Sequence, residues 1–157
     1  MKPDSGSNSL YPAAPRPAVG AVVFKDDAVL LVKRGKAPAC GMWAIPGGSV
    51  RLGETLQAAA EREIREETSV VIRAGEPILV FDTIQRDDRG GIQFHYVIID
   101  LVAEYISGEP RAADDAADAR WVRAEELKGL TVNPATLRLL KEKYRFGEKE
   151  VLNDGSA

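Results

Sequence analysis

An α/β layered domain is the fold class this sequence predicts, on three observations. Runs rich in β-branched residues recur at Ala18 to Phe24, Ala28 to Lys33, Ile78 to Gln85 and Ile92 to Ile106, set off by charged or glycine- and proline-bearing turns. Two other segments, Thr55 to about Thr68 and Pro134 to Tyr144, carry apolar residues at helical spacing. Strands mixed with two main helices imply layers around one core, an α/β (α+β) arrangement.

The whole chain sets the bounds. Its 157 residues suit one domain with a sizeable core. With 24 acids against 21 bases the net charge is −3, which gives no global basic field for nucleic acid. No apolar run reaches membrane-span length and no signal-peptide core opens the sequence. One cysteine, Cys40, excludes an internal disulfide and a cysteine-based zinc site, so a reducing, cytoplasmic setting is expected.

In chain order, Met1 to Arg16 is Ser-, Pro- and Ala-rich, has little to bury and reads as a flexible arm. Ala18–Phe24 and Ala28–Lys33 form a hairpin pattern around Lys25-Asp26-Asp27. Both are almost continuously apolar, the mark of strands covered on two faces. Arg34 to Gly41 is a loop with two bases and two glycines, and Met42 to Gly48 follows it. Past the first helix, Val70–Arg73 and Ile78–Gln85 read as strands broken at Gly75-Glu76-Pro77. Arg86 to Gly91 is a hairpin turn, and Ile92–Ile106 a long, bent strand. An Ala/Asp loop at Ala112–Ala119 precedes a short strand, Arg120-Trp121-Val122. A short helix at Arg123–Lys128 ends at Gly129, and Pro134 opens the C-terminal helix. The domain spans residues 17–146, and 147–157 is a flexible tail.

The helix at Thr55–Thr68 is electrostatically odd. Leu56, Ala59, Ala60 and Ile64 define its inward face, and at about 100° per residue Glu63 and Glu67 fall on that same face, with Glu66 beside them. Glu61 and Arg65 take the solvent side. Two like charges about 4 Å apart cost roughly 4 kcal/mol at an effective dielectric near 20. Something positive must therefore sit among these acids. Hard oxygen ligands behind a glycine-rich loop suit Mg²⁺ or Mn²⁺, ions that also bridge to substrate phosphates.

Gly48, five residues, Glu54, seven residues, and then Arg62-Glu63-Ile64-Arg65-Glu66-Glu67-Thr68-Ser69-Val70 resembles the Nudix box, G-x5-E-x7-R-E-U-x-E-E-x-G-U with U a bulky aliphatic residue. One fixed position departs: Ser69 stands in place of glycine. The preceding Trp43-Ala44-Ile45-Pro46-Gly47-Gly48 resembles the strand that feeds the box. The resemblance covers about Ala18 to Tyr144. It implies a small single-domain member of the MutT-like and ADP-ribose pyrophosphatase-like kind, with a mixed sheet sandwiched between helices.

It also implies roles. Glu63, Glu66 and Glu67 become metal ligands, Gly48 offers a carbonyl, and Mg²⁺ is the cofactor with Mn²⁺ as substitute. Glu63 or a loop acid, Asp115 ahead of Asp114 and Asp118, becomes the base that deprotonates water. Arg62 orients the glutamates, and Glu54 helps hold the site together. Arg34 and Lys36 are candidates to meet substrate phosphates. His95, Trp43, Trp121 and Phe81 read as packing residues, and Cys40 has no catalytic part.

The implied activity is hydrolysis of the pyrophosphate linkage in a nucleoside diphosphate joined to another group, whether an NTP, ADP-ribose or a nucleotide sugar. The proline that ADP-ribose-type members usually carry about fifteen residues past the box is absent, since Ile84-Gln85-Arg86 occupies that region. Asp87 and Asp88 stand where diadenosine-polyphosphate members have a tyrosine. The alternative is a non-catalytic Nudix nucleotide sensor, against which the box's full set of acids argues. The implied partner is a nucleotide, with neither nucleic acid nor membrane. A homodimer is compatible with a family whose members often pair.

Overall fold

The computed structural model describes residues 10–148. β1 (Arg16–Lys25) and β2 (Ala28–Arg34) form the expected hairpin, with Phe24 opposite Val29 and Lys25 opposite Ala28. Their apolar continuity has a direct cause, because alternate side chains enter two different cores. Val19, Ala21, Val23 and Leu30 pack with Ala59, Ala60 and Ile64 of α1 (Leu56–Thr68). Val22, Val29 and Leu31 pack with Leu139 and Leu140 of α2 (Pro134–Tyr144). The two helices thus cover opposite faces of one sheet.

That sheet has seven strands. Its main path runs β3 (Trp43–Ala44), β2, β1, β6 (Ile92–Ser107), β5 (Val71–Arg86), while β4 (Gly47–Ser49) pairs with β1 and β7 (Ala116–Arg123) with β2. β1 and β6 run parallel and every other pair is antiparallel, so the sheet is mixed.

Three boundaries differ from the sequence reading. The break expected at Gly75-Glu76-Pro77 is absent: β5 runs unbroken past it, with register shifts between Ala74 and Pro77 and between Pro77 and Leu79. β5 is the last strand on the path, and an edge strand with bulges tolerates a proline that a central strand would not. The Ala/Asp segment is partly strand, because pairing along β2 from Arg34↔Ala116 to Ala28↔Arg123 extends β7 back to Ala116. Tertiary pairing here overrides weak local propensity. The short helix before Gly129 is a 3₁₀ turn over Ala124–Gly129, its entry held by the Arg123 N–H donating to Glu126 Oε2 at 2.6 Å.

Residues 1–9 of the expected arm and 149–157 of the expected tail lie outside the described residues. The described part of the arm is held. The Tyr11 N–H donates to the Gln93 carbonyl, its hydroxyl donates to Asp87 Oδ2 at 2.7 Å, and Arg16 already belongs to β1. Among the described residues no helix is long and apolar enough to cross a membrane.

α1 begins at Thr55, whose Oγ1 accepts the Ala58 N–H at 3.1 Å, and it ends at Ser69, which sits at φ 64° in the left-handed region with its N–H on the Arg65 carbonyl. A serine there carries strain that glycine does not. Ser69→Gly is expected to raise unfolding stability by about 0.5–1 kcal/mol, the left-handed strain less glycine's extra chain entropy. Chemical denaturation checks this, and an unchanged or lower midpoint would remove the strain.

Candidate active site

Pairing of β4 with β1, Val19 opposite Gly48 and Gly20 opposite Gly47, lays a glycine strand directly under the acidic half of α1. The approach is so close that a Cβ on Gly48 would collide with the Glu63 carboxylate. Glu67 is 8 % exposed, and the Gly47 backbone N–H hydrogen bonds to it. Burial first, and then the neighbouring Glu63 charge, push the Glu67 carboxyl up to about 8. Burial likewise raises Glu63, against the opposing pull of Arg62. Glu66 is more open.

Part of the positive charge these acids require comes from Arg62, which reaches Glu63 and Glu66 but not Glu67. Its Nε donates to Glu54 Oε2 at 2.6 Å and its Nη2 to Glu54 Oε1 at 2.9 Å, a fork-to-fork pair. Nη1 donates to Glu63 Oε1 at 2.8 Å and to Glu66 Oε2 at 3.2 Å, and Nη2 also donates to the Ser49 carbonyl at 3.0 Å. The guanidinium holds the Glu54 carboxyl down at about 2, and Glu54 in turn raises Arg62. One arginine therefore ties the loop, β4 and two box glutamates together. Glu61 departs from its expected solvent role, since its Oε1 accepts the Ala74 N–H at 3.0 Å and fastens α1 to β5.

Among the described residues no group of three or more Asp, Glu, His or Cys side chains is drawn into a metal-holding arrangement. The donor set still fits a hard divalent cation. Glu67 is a nearly dry carboxylate with no cation within ion-pair reach among the described residues, Glu63 and Glu66 flank it, and the Gly48 backbone lies against Glu63.

These acids form one wall of a cleft of about 670 Å³ that Gly48, Arg34, Lys36, Arg51, Asp114 and Asp115 also line. Lys36 Nζ lies 2.7 Å from Asp115 Oδ1, so the phosphate candidate and the loop-acid candidate face each other across the rim. The Gly35 N–H on the Asp115 carbonyl fixes the two loops together, and Arg34 Nε donates to the Pro38 carbonyl at 2.7 Å. Asp118 lies on β7 near Arg120, 3.5 Å from its Nε. His95, Trp121 and the exposed Cys40 do not line the cleft, and Trp43 is in the core. Phe81 corrects the reading as core: it belongs to neither core cluster and stands half-buried on the cleft wall, opposite Ile98 of β6.

Residues 14–143 match the NUDIX domain family. The chain belongs to the Nudix hydrolase family. It is 37% identical over 137 residues to the ADP-ribose pyrophosphatase of Methanocaldococcus jannaschii, covering 87% of this chain and 76% of that one. To the nucleoside triphosphatase NudI of Escherichia coli K12 it is 33% identical over 139 residues, 82% and 96% of the two chains. The crystal structure of a MutT Nudix hydrolase from Burkholderia pseudomallei superposes with a TM-score of 0.69 at 33% identity, covering 82% of this chain and 97% of that one. The mixed sheet between two helices is thus the Nudix fold.

Beyond the box, this Nudix cleft holds residues that the sequence reading passed over: Tyr96, Ile98 and Asp100 of β6, and Asn133 and Thr136 at the start of α2. Asp100 is 4 % exposed, and burial alone pushes its carboxyl up to about 7. A signal was present in the sequence. Asp100 is the one acid inside Tyr96-Val97-Ile98-Ile99-Asp100-Leu101-Val102, an otherwise apolar run.

Proposed function

We propose that this Nudix hydrolase cleaves the pyrophosphate linkage of a nucleoside diphosphate joined to another group, with Mg²⁺ as its ion and Mn²⁺ as a substitute. The observation that carries the reading is Glu67, a nearly dry carboxylate kept beside Glu63 on the wall of a nucleotide-sized cleft whose rim carries Arg34 and Lys36. Glu63, Glu66, Glu67 and the Gly48 carbonyl would hold the ion, which when bound neutralises phosphate charge and acidifies water.

The chain's own groups do the rest. Arg34 and Lys36 meet the phosphates, and Lys36 exchanges its Asp115 partner for a phosphate oxygen. That exchange leaves the Asp115 carboxylate free, so Asp115 or Glu63 takes the proton of the attacking water. Arg62 keeps Glu63 and Glu66 aimed while this happens. Attack at phosphorus breaks the P–O–P bridge, and the products are a nucleoside monophosphate and the remaining half.

Likeness to an enzyme named as an ADP-ribose pyrophosphatase and to one named as a nucleoside triphosphatase supports ADP-ribose and nucleoside triphosphates as the first substrates to try. The test is release of nucleoside monophosphate, followed by chromatography, from a panel of ADP-ribose, (deoxy)nucleoside triphosphates and nucleotide sugars with Mg²⁺. Metal-dependent release from at least one of them, stopped by chelator, is expected. No release from any would favour a nucleotide-binding module.

A further inference from the structure

Asp100 is a buried acid for which the phosphate chemistry has no use. Among the described residues no hydrogen bond or ion pair to its carboxylate is found, although the residue is only 4 % exposed and lines the cleft. Its carboxylate therefore meets the cleft rather than the packed core, where burial disfavours the bare charge and a ligand donor would pair it. The backbone is shaped around it as well: Gly20 stands beside it in the parallel β1–β6 register, and a Cβ on Gly20 would strike Asp100 Oδ1.

Register places Asp100 in a wider surface. Residues directly opposite on paired strands point to the same face. Thr83 opposes Tyr96, Phe81 opposes Ile98, and Leu79 opposes Asp100, so these rows lie on the face that α2 covers only at its other end. The uncovered part sets Phe81 beside Ile98, with Thr83 and Tyr96 at one end and the acid Asp100 at the other, and Thr136 of α2 also lines the cleft. An anionic phosphate would be repelled by Asp100. A ribose has no flat π-face to lay on Phe81. A heteroaromatic ring fits flat against Phe81 and Ile98, and an N–H on its edge meets Asp100, whose carboxylate can only accept.

We propose that Asp100 is the base-selecting residue of this cleft, accepting a hydrogen bond from the exocyclic amino group of a nucleobase laid on Phe81 and Ile98. The substrate class is then a nucleotide with an amino-bearing base, its phosphates directed to the glutamates of α1. This rests on the reading of the chain as a nucleotide hydrolase.

The experiment compares kcat/KM for an amino-bearing nucleotide with that for its deamino counterpart, ATP with purine riboside triphosphate and GTP with ITP, in the wild type, Asp100→Leu and Asp100→Asn. A site built to bond an N–H rejects the analogue lacking it, so the wild type should prefer at least one amino partner by about ten- to a hundredfold or more. Asp100→Leu, branched alike though larger and free of the acceptor, should bring that ratio to within about twofold. Asp100→Asn, which keeps the shape and exchanges one acceptor for a donor, should lower it several-fold. If Asp100→Leu does not fold, Asp100→Asn decides. A wild type with no amino preference, or a ratio that the variants leave unchanged, would overturn the proposal. Absence of hydrolysis of every nucleotide by the wild type would instead sink the hydrolase reading beneath it.

Discussion

Glu67→Gln is expected to abolish metal-dependent hydrolysis while making the metal-free protein more stable at pH 8. Both effects follow from one side chain. Glu67 is 8 % exposed, and burial with the Glu63 charge beside it raises its carboxyl from 4.5 to about 8. For an acid raised on folding, the unfolded chain gives up its proton first as pH climbs. Below about pH 4.5 the group is protonated in both states and costs nothing. Between about 4.5 and 8 the native state is progressively penalised, and above 8 the penalty is complete, a few kcal/mol in size. Glutamine has nearly the same shape and never pays it.

Thermal melts in chelator at pH 5.5 and pH 8 check this. The gap in favour of Glu67→Gln should be small at the lower pH and wide at the higher one. Added Mg²⁺ should raise the wild-type melting temperature by mass action and move the variant much less. Turnover should fall about a thousandfold or more, the scale of several kcal/mol of lost charge stabilisation. Hydrolysis at the wild-type rate would remove Glu67 from the metal site. A gap independent of pH would mean that its carboxylate is solvated after all.

The acid helix was legible in the sequence because periodicity is a local property. Leu56, Ala59, Ala60 and Ile64 fix which way α1 faces, and Glu63 and Glu67 are then placed by angle alone. The β1–β2 hairpin was legible for a similar reason, since unbroken apolar runs announce a sheet with both faces covered. What remained hidden depends on partners distant in the chain. Local composition reads Gly75-Glu76-Pro77 as a break, and only the edge position of β5 makes it a bulge. Asp100 looks like an interruption in β6 until the parallel register sets it beside Gly20. The sequence demanded a positive charge among the glutamates and pointed to a divalent ion, but it did not show how far Arg62 shares that part. In the fold, Arg62 bonds along the helix to Glu63 and Glu66 and also reaches across to Glu54 in the loop, a partner eight residues away that helical spacing does not reveal.

Arg62 is accordingly where the second large effect is expected. Arg62→Ala removes five hydrogen bonds to Glu54, Glu63, Glu66 and the Ser49 carbonyl, leaving the carboxylates to repel one another. Breaking a fully buried pair costs about 3–5 kcal/mol, and with both the Arg62 and Glu54 side chains still 16–18% exposed the loss here should be about 2–3 kcal/mol. Arg62→Lys restores the charge without the fork and should recover only part of this. Mg²⁺ affinity should fall about 10- to 100-fold in both, as it does when a ligand's positioning partner is lost. Acid supplies the internal control. Glu54 is depressed to about 2, so its contribution is full above about pH 4.5 and fades as pH drops toward 2. The stability gap between wild type and Arg62→Ala should therefore narrow from pH 7 to pH 3 in chemical denaturation. A gap that holds constant across that range would assign the loss to packing of the arginine stem, and an unchanged Mg²⁺ requirement would mean that the glutamates are aimed by the backbone alone.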